Sequence, residues 1–190
     1  MSRIQLRTIE DAPEATKTGL KTAQKSNGFL PNLVRLLANA PAALETYQTV
    51  SGINANSGLS LAEREAVQIT AAATHGCSFC VAGHTAVAYK KAGLSEDIVV
   101  PLRSGKVVPD PRLMAIAEFT RAVIRSRGAV QDIELKSFIA AGFNEANALE
   151  VVLGISLATL CNFANNLGQP ALNPELQSYA WHPSTAQAAE

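Results

Sequence analysis

Four residues of the types that move protons and electrons lie close together in the segment EAVQITAAATHGCSFCVAGH: Glu65, Cys77, Cys80 and His84. Cys77 and Cys80 are three positions apart, so on a helix they share one face. His84 follows Cys80 by four and Cys77 by seven, which places it on that same face. Glu65 stands twelve residues before Cys77, across the break Thr74-His75-Gly76. Two helices joined by so short a link pack as neighbours or cross sharply, and Glu65 can then face the cysteine pair.

This layout suits thiol redox chemistry. A thiolate, not a thiol, attacks peroxides and disulfides, and an ordinary cysteine is mostly protonated at neutral pH. Two agents here favour the anion. The unpaired N–H groups of a helix N-terminus point at Cys77 and Cys80. His84 can take a proton from Cys80 one turn away or stabilise the anion as imidazolium. Glu65 can orient His84 or accept a proton in turn. The helix-terminus argument favours Cys77 as the reactive thiol, and adjacency to His84 favours Cys80. Bridging needs Cβ atoms ~3.5–4.5 Å apart, closer than the ~5–6 Å of an ideal i, i+3 pair. A first helical turn preceded by Gly76 relaxes enough to allow it.

Plainer readings stand beside this one. The cysteines can be inert core residues, since free cysteine is among the most buried types. Zinc can take Cys77, Cys80 and His84 with His75 or Glu65 as a fourth ligand, although no second ligand pair exists. Phe79 and His75 are the pocket candidates beside the thiols; the ordinary role of Phe79 is packing and that of His75 is a loop position. Cys161, between Leu160 and Phe163, reads as core packing, and His182 as an exposed tail residue. Asn162, Asn165 and Asn166 can line a pocket or bond across an interface, with solvated or capping roles as the default. Lys90 and Lys91 complement the dipole at a helix C-terminus.

The elements that must hold these residues are helical. Val and Ile fall in helix-period rather than alternating patterns. Helices are expected over about 8–25, 31–38, 41–53, 61–74, 77–91, 95–103, 111–127, 131–141 and 145–166. Ser60 with Glu63 forms a capping box before the fourth. Asp110-Pro111 and Asn144 are strong starts, and Gly93, Gly128, Gly142 and Gly168 are stops. The sum is an all-α orthogonal bundle of about eight helices in one domain, 1–170, with an irregular tail, 171–190. No low-complexity linker divides it.

Composition narrows the class. Of 190 residues 47% are apolar and only 17% charged, against a usual ~25%. So thin a charge suggests a surface partly hidden in a homo-oligomer. Sixteen Lys and Arg balance sixteen Asp and Glu, which leaves no electrostatic footprint for nucleic acid or a polybasic membrane module. The N-terminal stretch lacks an apolar signal region, and the longest apolar run, 151–161, falls short of the ~18 residues of a span. Three cysteines are too few for a disulfide scaffold. The expectation is a cytoplasmic protein bound to no membrane.

Glu, eleven residues, Cys-x-x-Cys, three residues, His resembles the active-site pattern of AhpD-like alkylhydroperoxidases of the carboxymuconolactone decarboxylase superfamily. Glu65, Cys77, Cys80 and His84 occupy it at matching spacing. The resemblance is clearest over 41–93, and 110–167 is similar to the longer peroxidase-related branch. It implies the AhpD-like helical fold, assembly as dimers, trimers or hexamers, and reduction of organic or hydrogen peroxides with recycling by an external thiol reductant. By the same resemblance Cys80 attacks the peroxide, Cys77 resolves the sulfenic acid to a disulfide, and Glu65 and His84 relay protons. No metal, haem or flavin cofactor is implied. One departure is Phe79, where the founding members carry a second histidine. The rival functions are a thiol-disulfide oxidoreductase, a redox-sensing helical oligomer without turnover, a carboxymuconolactone decarboxylase-type enzyme, or a zinc-stabilised module; the decarboxylases proper lack the cysteine pair.

Overall fold

A computed structural model describes residues 2–183. Among them are nine α-helices, one short 3-10 helix and no strand: α1 Glu14–Asn27, α2 Asn32–Leu37, α3 Pro41–Ala55, α4 Leu61–Thr74, α5 Ser78–Lys90, α6 Glu96–Ser104, α7 Pro111–Ser126, α8 Asp132–Ala140 and α9 Glu145–Gly168, then the 3-10 turn Pro174–Tyr179. The all-α expectation holds, and most boundaries follow the local signals. The Ser60/Glu63 capping box is formed, and Asp110 and Asn144 cap α7 and α9 through their side chains. α1 begins six residues later than the periodicity suggests. Thr8 and Asp11 close a reciprocal turn, Thr8 N–H to Asp11 Oδ1 at 2.7 Å and Asp11 N–H to Thr8 Oγ1 at 3.3 Å. Pro13 then excludes helical backbone from the residue before it.

α4 is the central helix, packed against α5, α7 and α9. Its Ala66, Val67, Ile69, Ala71 and Ala72 are at most 1% exposed. The small alanines let neighbouring helices approach closely. Gly154 of α9 serves the same end, because a Cβ there would stand 3.0 Å from Val67 Cγ1. Apolar residues gather in two clusters. One lies among α4, α6, α7, α8 and α9 and includes Phe119, Phe138 and Phe143 stacked in series. The other lies among α1, α2, α3, the end of α4, α5 and α9 and contains Cys77, Cys80 and Cys161.

The charged and amide groups that α4 carries into this interior are partnered, as burial demands, while the Thr70 hydroxyl has no hydrogen-bond partner. Glu63 takes Arg112 Nε at 2.5 Å, Gln68 Nε2 donates to Gly154 O at 2.9 Å, and Glu65 meets His84. α9 runs 24 residues, beyond the 151–161 run, and by length and composition it is apolar enough to cross a membrane. Eight of its residues, Asn162 and Asn165 among them, are instead buried in the fold. The segment after Pro170 is also more ordered than an irregular tail. Asn173 is buried and accepts Asn32 N–H at 2.8 Å, and Arg103 donates to Tyr179 O and Ala180 O. Its last residues, 184–190, lie outside the described range.

Candidate active site

The cysteine pair is placed by the way α4 ends. Cys77 N–H reaches Ala72 O at 2.9 Å and Gly76 N–H reaches Ala73 O at 3.2 Å, the paired bonds of a Schellman stop. The motif needs left-handed backbone at Gly76, where φ is +66°. The residue that completes this stop, Cys77, is also the N-cap of α5. Its Sγ takes the place a serine or aspartate oxygen usually holds, accepting Cys80 N–H at 3.4 Å. Cys80 follows in the first turn, and both side chains are buried.

The two thiols are pushed apart in acidity. Cys77 is drawn below its ordinary value by a hydrogen bond from the Cys80 thiol, against the cost of burial, with help from the Cys80 N–H, Asn165 and the nearby His84. Cys80 is raised well above its ordinary value because its proton is held by Cys77, because it is buried, and because Cys77 and Cys161 repel a second negative charge. Of the two, Cys77, the helix-capping sulfur, is the one that ionises first, and Cys80 keeps its proton longer.

His84 sits one turn further on α5, its Nδ1 2.8 Å from Glu65 Oε2. The carboxylate side chain is 8% exposed and the imidazole 31%. Burial works to neutralise the ring, but the Glu65 charge and hydrogen bond, with Cys77, hold its pKa above the ordinary value. Glu65, Cys77, Cys80 and His84 are therefore brought together across the α4–α5 junction.

A cavity of about 480 Å³ opens beside them, lined by Cys80, His84, Phe79, Tyr47, Gln68 and Cys161 among others. Cys80, not Cys77, faces this space. Phe79 lines it and His75 does not. His75 Nδ1 is instead 3.0 Å from Asn162 Oδ1, its ring packs edge-on against Phe163, and Asn166 Nδ2 donates to its carbonyl at 2.8 Å. Asn162 and Asn165 depart from a solvated default, whereas Asn166 is exposed. Asn165 is 3% exposed and its Nδ2 donates to Cys80 Sγ at 3.2 Å. Two amides about five turns into an apolar helix, Asn162 and Asn165, are the sequence signal for this contact. Cys161 is packed as expected but also reaches the cavity, and burial followed by the charge of Cys77 pushes its thiol up to about 12. Tyr47 of α3, which no local pattern singles out, lines the same wall; burial, Cys161 and Cys80 raise its phenol. Among the described residues no group of three or more His, Cys, Asp and Glu side chains is placed to hold a metal ion.

Residues 41–122 match the carboxymuconolactone decarboxylase family, and that segment contains all four residues of the site. No curated protein matches the chain. Among solved structures it resembles an alkylhydroperoxidase AhpD core, an uncharacterized peroxidase-related protein from Ralstonia eutropha JMP134, with a TM-score of 0.83 and 21% identity over 92% of this chain and 94% of that one. An uncharacterized peroxidase-related protein from Silicibacter sp. TM1040 superposes with a TM-score of 0.80 at 18% identity, over 92% and 93% of the two chains. The debrominase Bmp8, as a cysteine-to-alanine variant in complex with 2,3,4-tribromopyrrole, gives 0.76 at 14% identity over 93% and 94%. At these identities the likeness fixes the fold, which is AhpD-like.

Proposed function

We propose that this chain, which has the AhpD-like fold and whose residues 41–122 belong to the carboxymuconolactone decarboxylase family, reduces hydroperoxides through the Cys77/Cys80 dithiol. The observation that carries the reading is the position of Cys80. It faces an open, largely apolar cavity, with Cys77, the more acidic thiol of the pair and the N-cap of α5, behind it and a Glu65-supported imidazole beside it.

The resting pair holds Cys77 as thiolate, Cys80 as thiol and His84 as imidazolium. Cys80 sulfur attacks the terminal oxygen of ROOH as its proton passes to Cys77. The O–O bond breaks, Cys80 becomes a sulfenic acid, and the departing RO⁻ takes a proton from His84 to give ROH. His84 then takes the proton from Cys77. The Cys77 thiolate attacks Cys80, the S–OH bond breaks, and hydroxide leaves as water with the proton returned by His84. The dithiol loses two electrons, the peroxide gains them, and an external thiol reductant restores the pair. Phe79 replaces a second polar group with an apolar wall. Asn165 orients Cys80 and Glu65 orients His84.

The deciding experiment is quenched-flow mass spectrometry of the reduced, metal-free protein with stoichiometric cumene hydroperoxide. Rapid loss of two hydrogens localised to Cys77 and Cys80 is expected. Reaction no faster than that of a free thiol would remove the peroxidase reading and leave disulfide exchange or redox sensing.

A second reading is favoured by the fold shared with a debrominase and by the apolar cavity. The same dithiol can supply two electrons to a carbon–bromine bond, giving C–H, bromide and a disulfide. Bromide release from bromopyrroles, measured on the same preparation, separates the two.

The chain is further proposed to work as a homo-oligomer in a reducing compartment. Leu149, Val152, Phe163 and Leu167 of α9 are exposed, at 72%, 45%, 56% and 64%, and a face this apolar is usually covered. Sedimentation analysis checks it: a monomer at micromolar concentration would refute it.

A further inference from the structure

We propose, resting on the peroxidase reading, that the cavity is built for an amphiphilic substrate: a hydroperoxide on a hydrocarbon body that ends in a carboxylate. The peroxide sits at Cys80 and the carboxylate at Lys90 and Lys91.

One face of α5 forms the cavity floor, and its residues follow in functional order. Cys80 and His84 come first, Gly83 and Val87 next, and Lys90 and Lys91 last, all lining the same space. Spacings of three or four, seven, and ten or eleven keep them on one side of the helix. Ten residues at 1.5 Å rise put the cations ~15 Å from the reactive thiol. Beside the reactive pair the floor is low, since a Cβ added at Gly83 would meet nothing within 4 Å. The facing walls carry Leu33 and Val34 of α2, Leu157 of α9 and Leu176 of the 3-10 turn, with a minority of uncharged polar residues among them.

This arrangement is poorly matched to hydrogen peroxide, which cannot use the apolar length. It fits a ligand whose binding comes from buried hydrocarbon and whose orientation comes from polar contacts at both ends. The reactive end offers His84 and Tyr47 as hydrogen-bonding groups. The far end is cationic. Lys90 and Lys91 are exposed, and neither forms an ion pair among the described residues. Glu175 is the one carboxylate on the lining, so positive charge prevails there. Lys90 Nζ is steadied 5.3 Å from the centroid of the Tyr179 ring. Dipole complementation at the end of α5 accounts for a cation near that end. It does not account for two lysines lining the cavity that contains the thiol. The carboxylate is a spectator in the redox step, which proceeds as already written for ROOH.

The test has a binding arm and a kinetic arm. Calorimetry on the reduced full-length protein compares decanoate with decyl alcohol. Decanoate is expected to bind roughly tenfold more tightly at low salt, about 1.4 kcal/mol, a preference lost in 0.5 M NaCl. K90Q/K91Q should abolish the preference and K90R/K91R should retain it. The kinetic arm compares the rate of Cys77–Cys80 oxidation by a long-chain fatty-acid hydroperoxide, its methyl ester and cumene hydroperoxide, with the free acid fastest. Equal binding of acid and alcohol, or a preference that survives K90Q/K91Q, would overturn the inference and return the lysines to the helix end. Failure of every hydroperoxide to oxidise the pair would instead sink the peroxidase reading. The binding arm would then still decide whether the cavity takes an amphiphilic carboxylate.

Discussion

Glu65→Gln isolates the charge on which the proposed proton relay depends. The side chain keeps its shape and can still accept a hydrogen bond from His84 Nδ1, so the 2.8 Å geometry need not change. What disappears is the negative charge that holds His84 protonated. Burial then acts on the ring without opposition and drives its pKa down. The oxidation rate should rise with pH as Cys77 ionises, below the usual thiol range, and fall as His84 loses its proton, above the usual histidine range. Removing the carboxylate charge moves the falling limb to lower pH. A charge-assisted hydrogen bond contributes ~1.5–3 kcal/mol, or about 10- to 150-fold in rate. Because the imidazole is 31% exposed, the lower part of that range applies, about 10- to 30-fold at pH 8. Stopped-flow fluorescence of Trp181, the single tryptophan, packed against the cluster that contains both cysteines, follows the oxidation. A pH–rate profile that superimposes on the wild type between pH 6 and 9 would refute the relay and leave Glu65 as a structural partner of His84.

Cys80→Ser should abolish peroxide consumption, and Cys77→Ser should leave a sulfenic acid on Cys80 that dimedone traps; a trapped adduct on Cys77 in Cys80→Ser would reverse the two roles. Asn165→Ala removes the donor to Cys80 Sγ. The neutral-pH rate should fall about 2- to 10-fold relative to wild type, with the ratio closing as pH rises, and a deficit constant with pH would assign Asn165 to packing instead. Arg112→Ala removes one partner of the buried Glu63 carboxylate, which the Ser60 N–H and the guanidinium together keep ionised against the cost of burial. A loss of about 1–3 kcal/mol and a Tm lower by ~3–9 °C are expected by calorimetry, with oxidation kinetics unchanged. Gly154→Val should cost about 1–3 kcal/mol by forcing α9 off Val67, and an unchanged denaturation midpoint would show that the contact yields freely.

The helices were legible because each carries its own start and stop. Ser60 with Glu63, Asp110 before Pro111, and Asn144 fix backbone groups within a few residues of themselves, so a local reading finds them. The start of α1 was misplaced because the Thr8–Asp11 turn competes with helix by side-chain bonds that periodicity does not register. The tail looked irregular because its order comes from partners far away in the chain, Asn32 and Arg103.

The same division runs through the site. Sequence by itself determined that Cys77, Cys80 and His84 share a face, since three and four residues are one helical turn, and that Gly76 separates that turn from the helix bearing Glu65. Only the tertiary structure decided the rest. It placed Asn165, 85 positions from Cys80 in the chain, against the sulfur. It turned His75 toward Asn162 and away from the cavity. It gave Cys77 the capping position and Cys80 the cavity wall, and so separated the more acidic sulfur from the one that faces the cavity. Turn chemistry and helix pitch act over a few residues and are written in local order, whereas burial, charge pairing and the shape of a cavity depend on which distant helices come to pack together.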